Sequence, residues 1–300
     1  MKSELKTLVE LLDLEYLEDN LYRGESRNLG GKSVFGGQVV AQALVAAYRT
    51  VAKGLVAHSL HSYFLRRGDM EYPIVYQVER IRDGRSFTAR RVMAIQKGRP
   101  IFSMMASFQS PEYGLEHQAP MPEVPKPDQL KEQLELREEW IDDCPAIFRD
   151  AFLRKLPIEI KPVAPRNPLK PDTREPIQNN WFKASDVLPD DPMIHQCVMA
   201  YASDFTLLTT ALHPHGVTWA QPYMTVASLD HAIWFHRPIK ADQWWLYSMD
   251  SPMAVSGRGL SRGFIFDQDG LLLASTTQES LMRKYGLAEM QDGKLPPVGN

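Results

Sequence analysis

The chain carries one structural plan twice, and that repeat restricts its fold more than any other feature. Residues 34–50, VFGGQVVAQALVAAYRT, are apolar almost all round. So wide an apolar surface predicts a helix buried on most sides, which other elements must wrap. Gly36 and Gly37 open it, and without a Cβ they let a neighbouring backbone come close. Strand-like segments follow at 57–66, 72–81, 86–96 and 101–109, separated by the turn signals RDGR (82–85) and KGRP (97–100). The second half reads alike. A strand-like stretch at 176–187 precedes a helix at 192–212, then strands at 223–236, 243–250, 259–267 and 271–282, with DQDG (267–270) as the last hairpin turn. Residues recur as well as elements. HSYFLRRG (61–68) aligns with HAIWFHRP (231–238), matching His61 with His231, Phe64 with Trp234 and Arg67 with Arg237. GRPIFS (98–103) aligns with GLLLAS (270–275). The predicted class is α+β, two fused units each built from a helix and an antiparallel sheet.

Proline marks the joint between the units. Residues 111–127 hold Pro111, Pro120, Pro122, Pro125 and Pro127, a linker composition. A charged helical pattern, LKEQLELREEWIDDC, runs up to Pro145, AIFRDAFLRK follows, and 157–176 is proline-rich again. The expected organisation is a first unit at 1–118, a linker with charged helices at 119–157, a second unit at 158–287 and a tail at 288–300. A short amphipathic helix is expected at 4–12.

Composition serves mainly to exclude. A net charge of −3 leaves no basic excess to neutralise phosphates, which argues against a nucleic-acid or membrane-surface binder. Cys144 and Cys197 stand far apart with no CxxC or Cys/His cluster, as expected of two reduced thiols. The N-terminus has no continuous apolar core of a secretory signal, and no run approaches the roughly 18 apolar residues of a membrane span. The C-terminal KLPPVGN carries no peroxisomal address. The expected location is the cytoplasm.

Five constellations could carry chemistry. GLSRG at 259–263 matches a nucleophile elbow in form, but a hairpin follows it rather than a helix, and no His occurs after His236. Asp230 and His231 are adjacent, so in a strand they point to opposite faces. Ser228, Asp230, Ala232 and Trp234 would share one face and His231 the other. With His61 as its match, His231 reads as a hydrogen-bonded core histidine. Asp204 falls inside the apolar stripe of the second long helix with Cys197, Tyr201, Phe205 and Leu208. A buried carboxylate is costly unless bonded, and the first helix has no acidic residue, so a functional role competes with a cap or structural bond. Gln278 and Ser228, which fall opposite Ala106 and His58 in the repeat, read by themselves as polar core residues. Asp190 and His195 have a D-x4-H spacing, but the acidic group also suits a helix start.

Taken together, VFGGQVVAQAL (34–44), HSYFLRRGD (61–69), RDGRSFTARRV (82–92), YASD (201–204), LDHAIWFHRP (229–238) and ASTTQES (274–280) resemble acyl-CoA thioesterase II, the TesB type. The resemblance runs from residue 4 to about 284 and keeps motif order. It implies a double hotdog fold, hydrolysis of fatty acyl-CoA to free acid and CoA without metal or organic cofactor, and a homodimer or homotetramer. It also implies a catalytic trio of Asp204, Ser228 and Gln278. Bacterial members often carry Thr at the second position, where this chain has Ser and keeps the hydroxyl. These groups could hold a water for attack, with Asp204 as general base, or Ser228 could itself be the nucleophile. Two other functions stay open: enoyl-CoA hydration at Asp190 and His195, and acyl-CoA binding without turnover.

Overall fold

The computed structural model describes residues 4–27 and 33–285, so the expected tail at 288–300 lies outside the described residues. The chain begins with α1 (Glu4–Leu12) and a small hairpin of β1 (Glu15–Glu18) and β2 (Leu21–Gly24), which was not read from the sequence. The first repeat follows as α2 (Gly36–Tyr48), β3 (Val56–Phe64), β4 (Ile74–Asp83), β5 (Phe87–Gln96) and β6 (Arg99–Gln109). Then come α3 (Gln133–Glu139), α4 (Arg149–Phe152), β7 (Ile158–Pro162), β8 (Ile177–Ala184), α5 (Pro192–Ala202) and α6 (Leu207–Thr210). The chain ends in β9 (Met224–Ser228), β10 (Asp230–Phe235), β11 (Trp245–Val255), β12 (Arg258–Phe266) and β13 (Leu272–Lys284).

The thirteen strands of the described residues join one antiparallel sheet in the order β1-β2-β4-β5-β6-β3-β10-β13-β12-β11-β8-β7, with β9 on β13. The two units meet where β3 pairs with β10, Ser62 facing His231 and Leu60 facing Ile233. As its composition requires, α2 is buried from Gly37 to Ala47 and lies beside α5. A Cβ on Gly37 would overlap the carbonyl oxygen of Tyr201, so that position needs glycine for closeness. The proline-rich linker is not loose. It crosses the other face of the sheet, where Met121 and Val124 cover Trp181, Leu246 and Phe266, and the Trp181 indole donates to Pro125 O at 2.9 Å.

Three expectations change. The second helix does not run from 192 to 212: α5 stops at Ala202 and a separate turn, α6, begins at Leu207. Between them Thr206 sits at φ 65°, a left-handed conformation that breaks the helix although the apolar pattern continues. β7 occupies part of the proline-rich 157–176 stretch. It is an edge strand, the place in a sheet where proline is tolerated, and it buries Ile158 and Ile160.

The third change concerns the repeat itself. His61 is exposed while His231 is buried, so the two lie on opposite faces. Leu60 is the cross-strand neighbour of Ala106, and Ala232 is that of Thr277. With Ala106 opposite Gln278 in the repeat, the place of His231 is taken by Leu60, one residue away from the sequence alignment. His231 is therefore peculiar to the second unit.

Candidate active site

Where α5 ends, the chain turns Asp204 toward the start of α2. The Asp204 Oδ2 atom accepts the Gly37 backbone N–H at 2.8 Å. A Cβ on the preceding Gly36 would come within 2.7 Å of the same oxygen. The first unit thus supplies one wall of a site otherwise built by the second. Asp204 Oδ1 faces two donors, the Ser228 hydroxyl at 3.4 Å and the Gln278 amide at 3.3 Å. The Gln278 amide also donates to Ser228 Oγ. The structure therefore brings Asp204, Ser228 and Gln278 together.

Ser228 reaches this position through a slip in register. Along β10 the ladder pairs Ala232 with Thr277, whereas β9 pairs Ser228 with Ser280, one residue out of step. Because side chains alternate with a period of two, such a slip moves every residue beyond it to the other face. Leu229 is the extra residue between the strands, its N–H bonded to Glu279 O and its carbonyl accepting from Phe64 N. Ser228 consequently shares the inner face with His231 and Gln278, and Asp230 does not join it. The shared face expected for Ser228 and Asp230 is overturned. The Asp230 carboxylate instead caps the Glu279 N–H at 2.6 Å, and burial raises its pKa.

His231 is fully buried beside the trio, its Nδ1 3.1 Å from Gln278 Oε1 and its Nε2 2.9 Å from Ser203 Oγ. Burial pushes its pKa down, against the opposing pull of the Asp204 charge. It is a hydrogen-bonded core histidine, as its strand position suggested, but it touches the candidate site. Behind it the Tyr247 hydroxyl donates to Ser203 O at 3.0 Å and meets Thr276 Oγ1 at 2.7 Å, and burial raises the phenol pKa. Sequence reasoning missed His231, Ser203 and Gly37 as neighbours of the site. A correct register of the repeat would have pointed to His231, since Leu60 holds its place in the first unit.

The other candidates separate from this cluster. GLSRG lies within β12, with no elbow. Its Ser261 faces Gln278 across the ladder, and a Cβ on Gly259 or Gly263 would overlap Met282 Sδ or the Tyr247 ring. The glycines serve packing. Asp190 is exposed and ion-paired with Lys240 at 2.6 Å. His195 is buried, and its Nδ1 accepts the Ala241 N–H at 3.0 Å. The pair forms no shared site, and Asp191, not Asp190, caps α5. His58, aligned with Ser228 in the repeat, meets Ser107 Oγ at 2.8 Å. Among the described residues no three His, Cys, Asp or Glu side chains are grouped to hold a metal ion, and no helix is long and apolar enough to cross a membrane.

Comparison with known proteins agrees over nearly the whole chain. Residues 147–281 match the family model described as acyl-CoA thioesterase, and residues 25–109 match that of the acyl-CoA thioesterase N-terminal domain. The chain is 44% identical over 283 residues to acyl-CoA thioesterase 2 of Haemophilus influenzae, covering 94% of this chain and 99% of that one. It is 42% identical over 291 residues to human acyl-coenzyme A thioesterase 8, covering 94% and 90%. Among solved structures, acyl-CoA thioesterase II TesB2 from Mycobacterium marinum is 43% identical with a TM-score of 0.76, covering 93% of this chain and 99% of that one. A hot dog fold protein from Alicyclobacillus acidocaldarius, at 17% identity and the same TM-score of 0.76 over 93% and 99% of the chains, shares the architecture alone. With two helix-and-sheet units fused through one continuous sheet and relatives matched along both of them, the chain is a double hotdog protein and belongs to the acyl-CoA thioesterase II, or TesB-type, family.

Proposed function

We propose that the protein hydrolyses fatty acyl-CoA thioesters to free acid and CoA, using a water held by Asp204, Ser228 and Gln278. The observation that carries this reading is the convergence of a carboxylate, a hydroxyl and an amide where the two units meet. Asp204 Oδ2 is occupied by the Gly37 N–H, while Oδ1 faces Ser228 and Gln278. An ionised carboxylate only accepts hydrogen bonds, and Oδ1, on the side of Ser228 and Gln278, is the atom we assign to take the proton from water. In the reaction, that water adds to the thioester carbonyl carbon as its proton passes to Asp204. The tetrahedral oxyanion then collapses, the C–S bond breaks, and the thiolate of CoA leaves and is protonated. Ser228 and Gln278 fix the remaining hydrogen bonds of the water, and positioning of this kind is worth about 7–11 kcal/mol in the best-aligned cases.

A thiol-release assay on saturated acyl-CoA tests the reaction, and a hydratase or a silent binder releases no thiol. Asp204→Asn is expected to lose at least about 100-fold in kcat, within the usual range of acid–base contributions, with its melting temperature kept. A loss below about threefold would refute the assignment of Asp204 as base. The 3.4 Å approach of Ser228 Oγ to Asp204 favours one rival, a covalent route through Ser228. Mass spectrometry after rapid quenching separates the two, because an acyl adduct on Ser228 contradicts direct attack by water.

A further inference from the structure

We infer that His231 is a positioning residue for the reaction: as the Nδ1–H tautomer it locks the side-chain amide of Gln278 in the one orientation that serves Asp204. The inference rests on the proposed trio and extends it by a residue that touches neither the water nor the thioester.

The argument follows the protons. Asp204 Oδ1 can only accept, so the Gln278 group 3.3 Å from it must be the NH₂ end of the amide. The carbonyl end of Gln278 then points the other way, 3.1 Å from His231 Nδ1. A carbonyl oxygen has no proton to give, so Nδ1 must carry one. Burial holds the ring neutral, which leaves Nε2 bare, 2.9 Å from Ser203 Oγ, whose one proton has a second acceptor in Ala200 O, also at 2.9 Å. Ser203 sits at the end of α5, immediately before Asp204. The contacts run from Asp204 through Gln278 and His231 to Ser203, which precedes Asp204 by one peptide unit.

Among the described residues, His231 Nδ1 is the one group hydrogen-bonded to the Gln278 carbonyl, and the buried Ser261 hydroxyl that faces Gln278 across the ladder makes no bond to it. A glutamine amide has two orientations related by a flip, and the flipped one would set its oxygen against the Asp204 carboxylate. Gln278 and His231 are both fully buried, so bulk water does not supply the missing donor. In the first unit the corresponding positions are Leu60 and Ala106, and the sheet pairs them without any polar link. The histidine is thus not a requirement of the scaffold. It accompanies the glutamine.

Three variants read this out in the full-length protein: His231→Asn, His231→Gln and His231→Leu. An asparagine amide N–H falls near the place of Nδ1 and can serve Gln278. A glutamine amide falls near Nε2 and cannot, and leucine has no donor at all. The Asn variant is expected to keep kcat within about threefold, while the Gln and Leu variants lose about 100-fold in kcat with KM held within about threefold, the size expected for a misplaced reacting group. A Gln variant with the parent's kcat, or an Asn variant that melts normally yet falls as far as Leu, overturns the inference. Nitrogen-15 correlations from the ring protons of the unmodified protein keep the test independent of folding. They are expected to show a protonated Nδ1 and a bare Nε2, and the reverse pattern overturns it. The Asp204→Asn variant run alongside separates failures, because retained activity there removes the trio itself, whereas loss there with no effect at His231 removes this inference alone.

Discussion

One residue, Thr206, adopts a left-handed conformation in the turn that carries Asp204. Its φ of 65° is unfavourable for a β-branched side chain, and it stands two residues past the aspartate, in the turn between α5 and α6. Its hydroxyl accepts from Asn180 Nδ2 at 3.1 Å, and its carbonyl takes the Thr209 hydroxyl at 2.6 Å. These contacts hold a conformation that threonine by itself avoids. Asparagine tolerates the left-handed region better, so Thr206→Asn is expected to gain about 1 kcal/mol in urea unfolding. No gain would mean that the hydroxyl contacts outweigh the strain. At this scale the sequence was partly legible. Asp204 stood out because an acidic residue in an apolar stripe needs a partner. Its partners were legible only through the family resemblance, since Ser228 and Gln278 lie 24 and 74 positions further along the chain and no local pattern joins them to it.

At the scale of elements, two close fits build the site. The first is the start of α2 against the end of α5, where Gly37 has no room for a side chain beside the Tyr201 carbonyl. Gly37→Ala must push the two helices apart, because the obstacle is backbone and cannot rotate away. The expected result is a loss of about 1–3 kcal/mol of stability, as for other overpacked sites. A fall in kcat should accompany it, since the Gly37 N–H moves with the helix. A variant with the parent's melting temperature and turnover would show that the contact can relax. The second fit is the slip at Leu229, which turns Ser228 inward. Strand periodicity read 223–236 as one strand, because both β9 and β10 are apolar enough to be strands and Leu229 suits either. A pattern of residue types does not record where a ladder gains an extra residue, so the face of Ser228 was misread. The same limit displaced the match of His61 with His231 by one position.

Over the whole molecule, burial of histidine couples stability to pH. His58, His195, His213, His231 and His236 all have pKa values held below the ordinary 6.5, with burial the largest cause of each, and His213 is lowered to about 4. Where the folded pKa lies below the unfolded one, the unfolded chain binds more protons between the two. Stability is therefore expected to fall as pH drops from 6.5 toward 4, and to level off above 6.5. Urea unfolding midpoints across that range check this, and a midpoint that stays constant from about pH 7 to about pH 5 would contradict it. The sequence by itself determined the two-unit α+β plan, because an all-round apolar helix and alternating strands with hairpin turns are local patterns that burial must satisfy. It also singled out Asp204, a carboxylate inside an apolar stripe that needs a hydrogen-bonding partner. Only the tertiary structure decided which face Ser228 and Asp230 occupy, where the second helix breaks, and that His231 stands behind Gln278. Those depend on register and on contacts between distant segments, which form when two sheets close into one and which no local pattern of hydrophobicity contains.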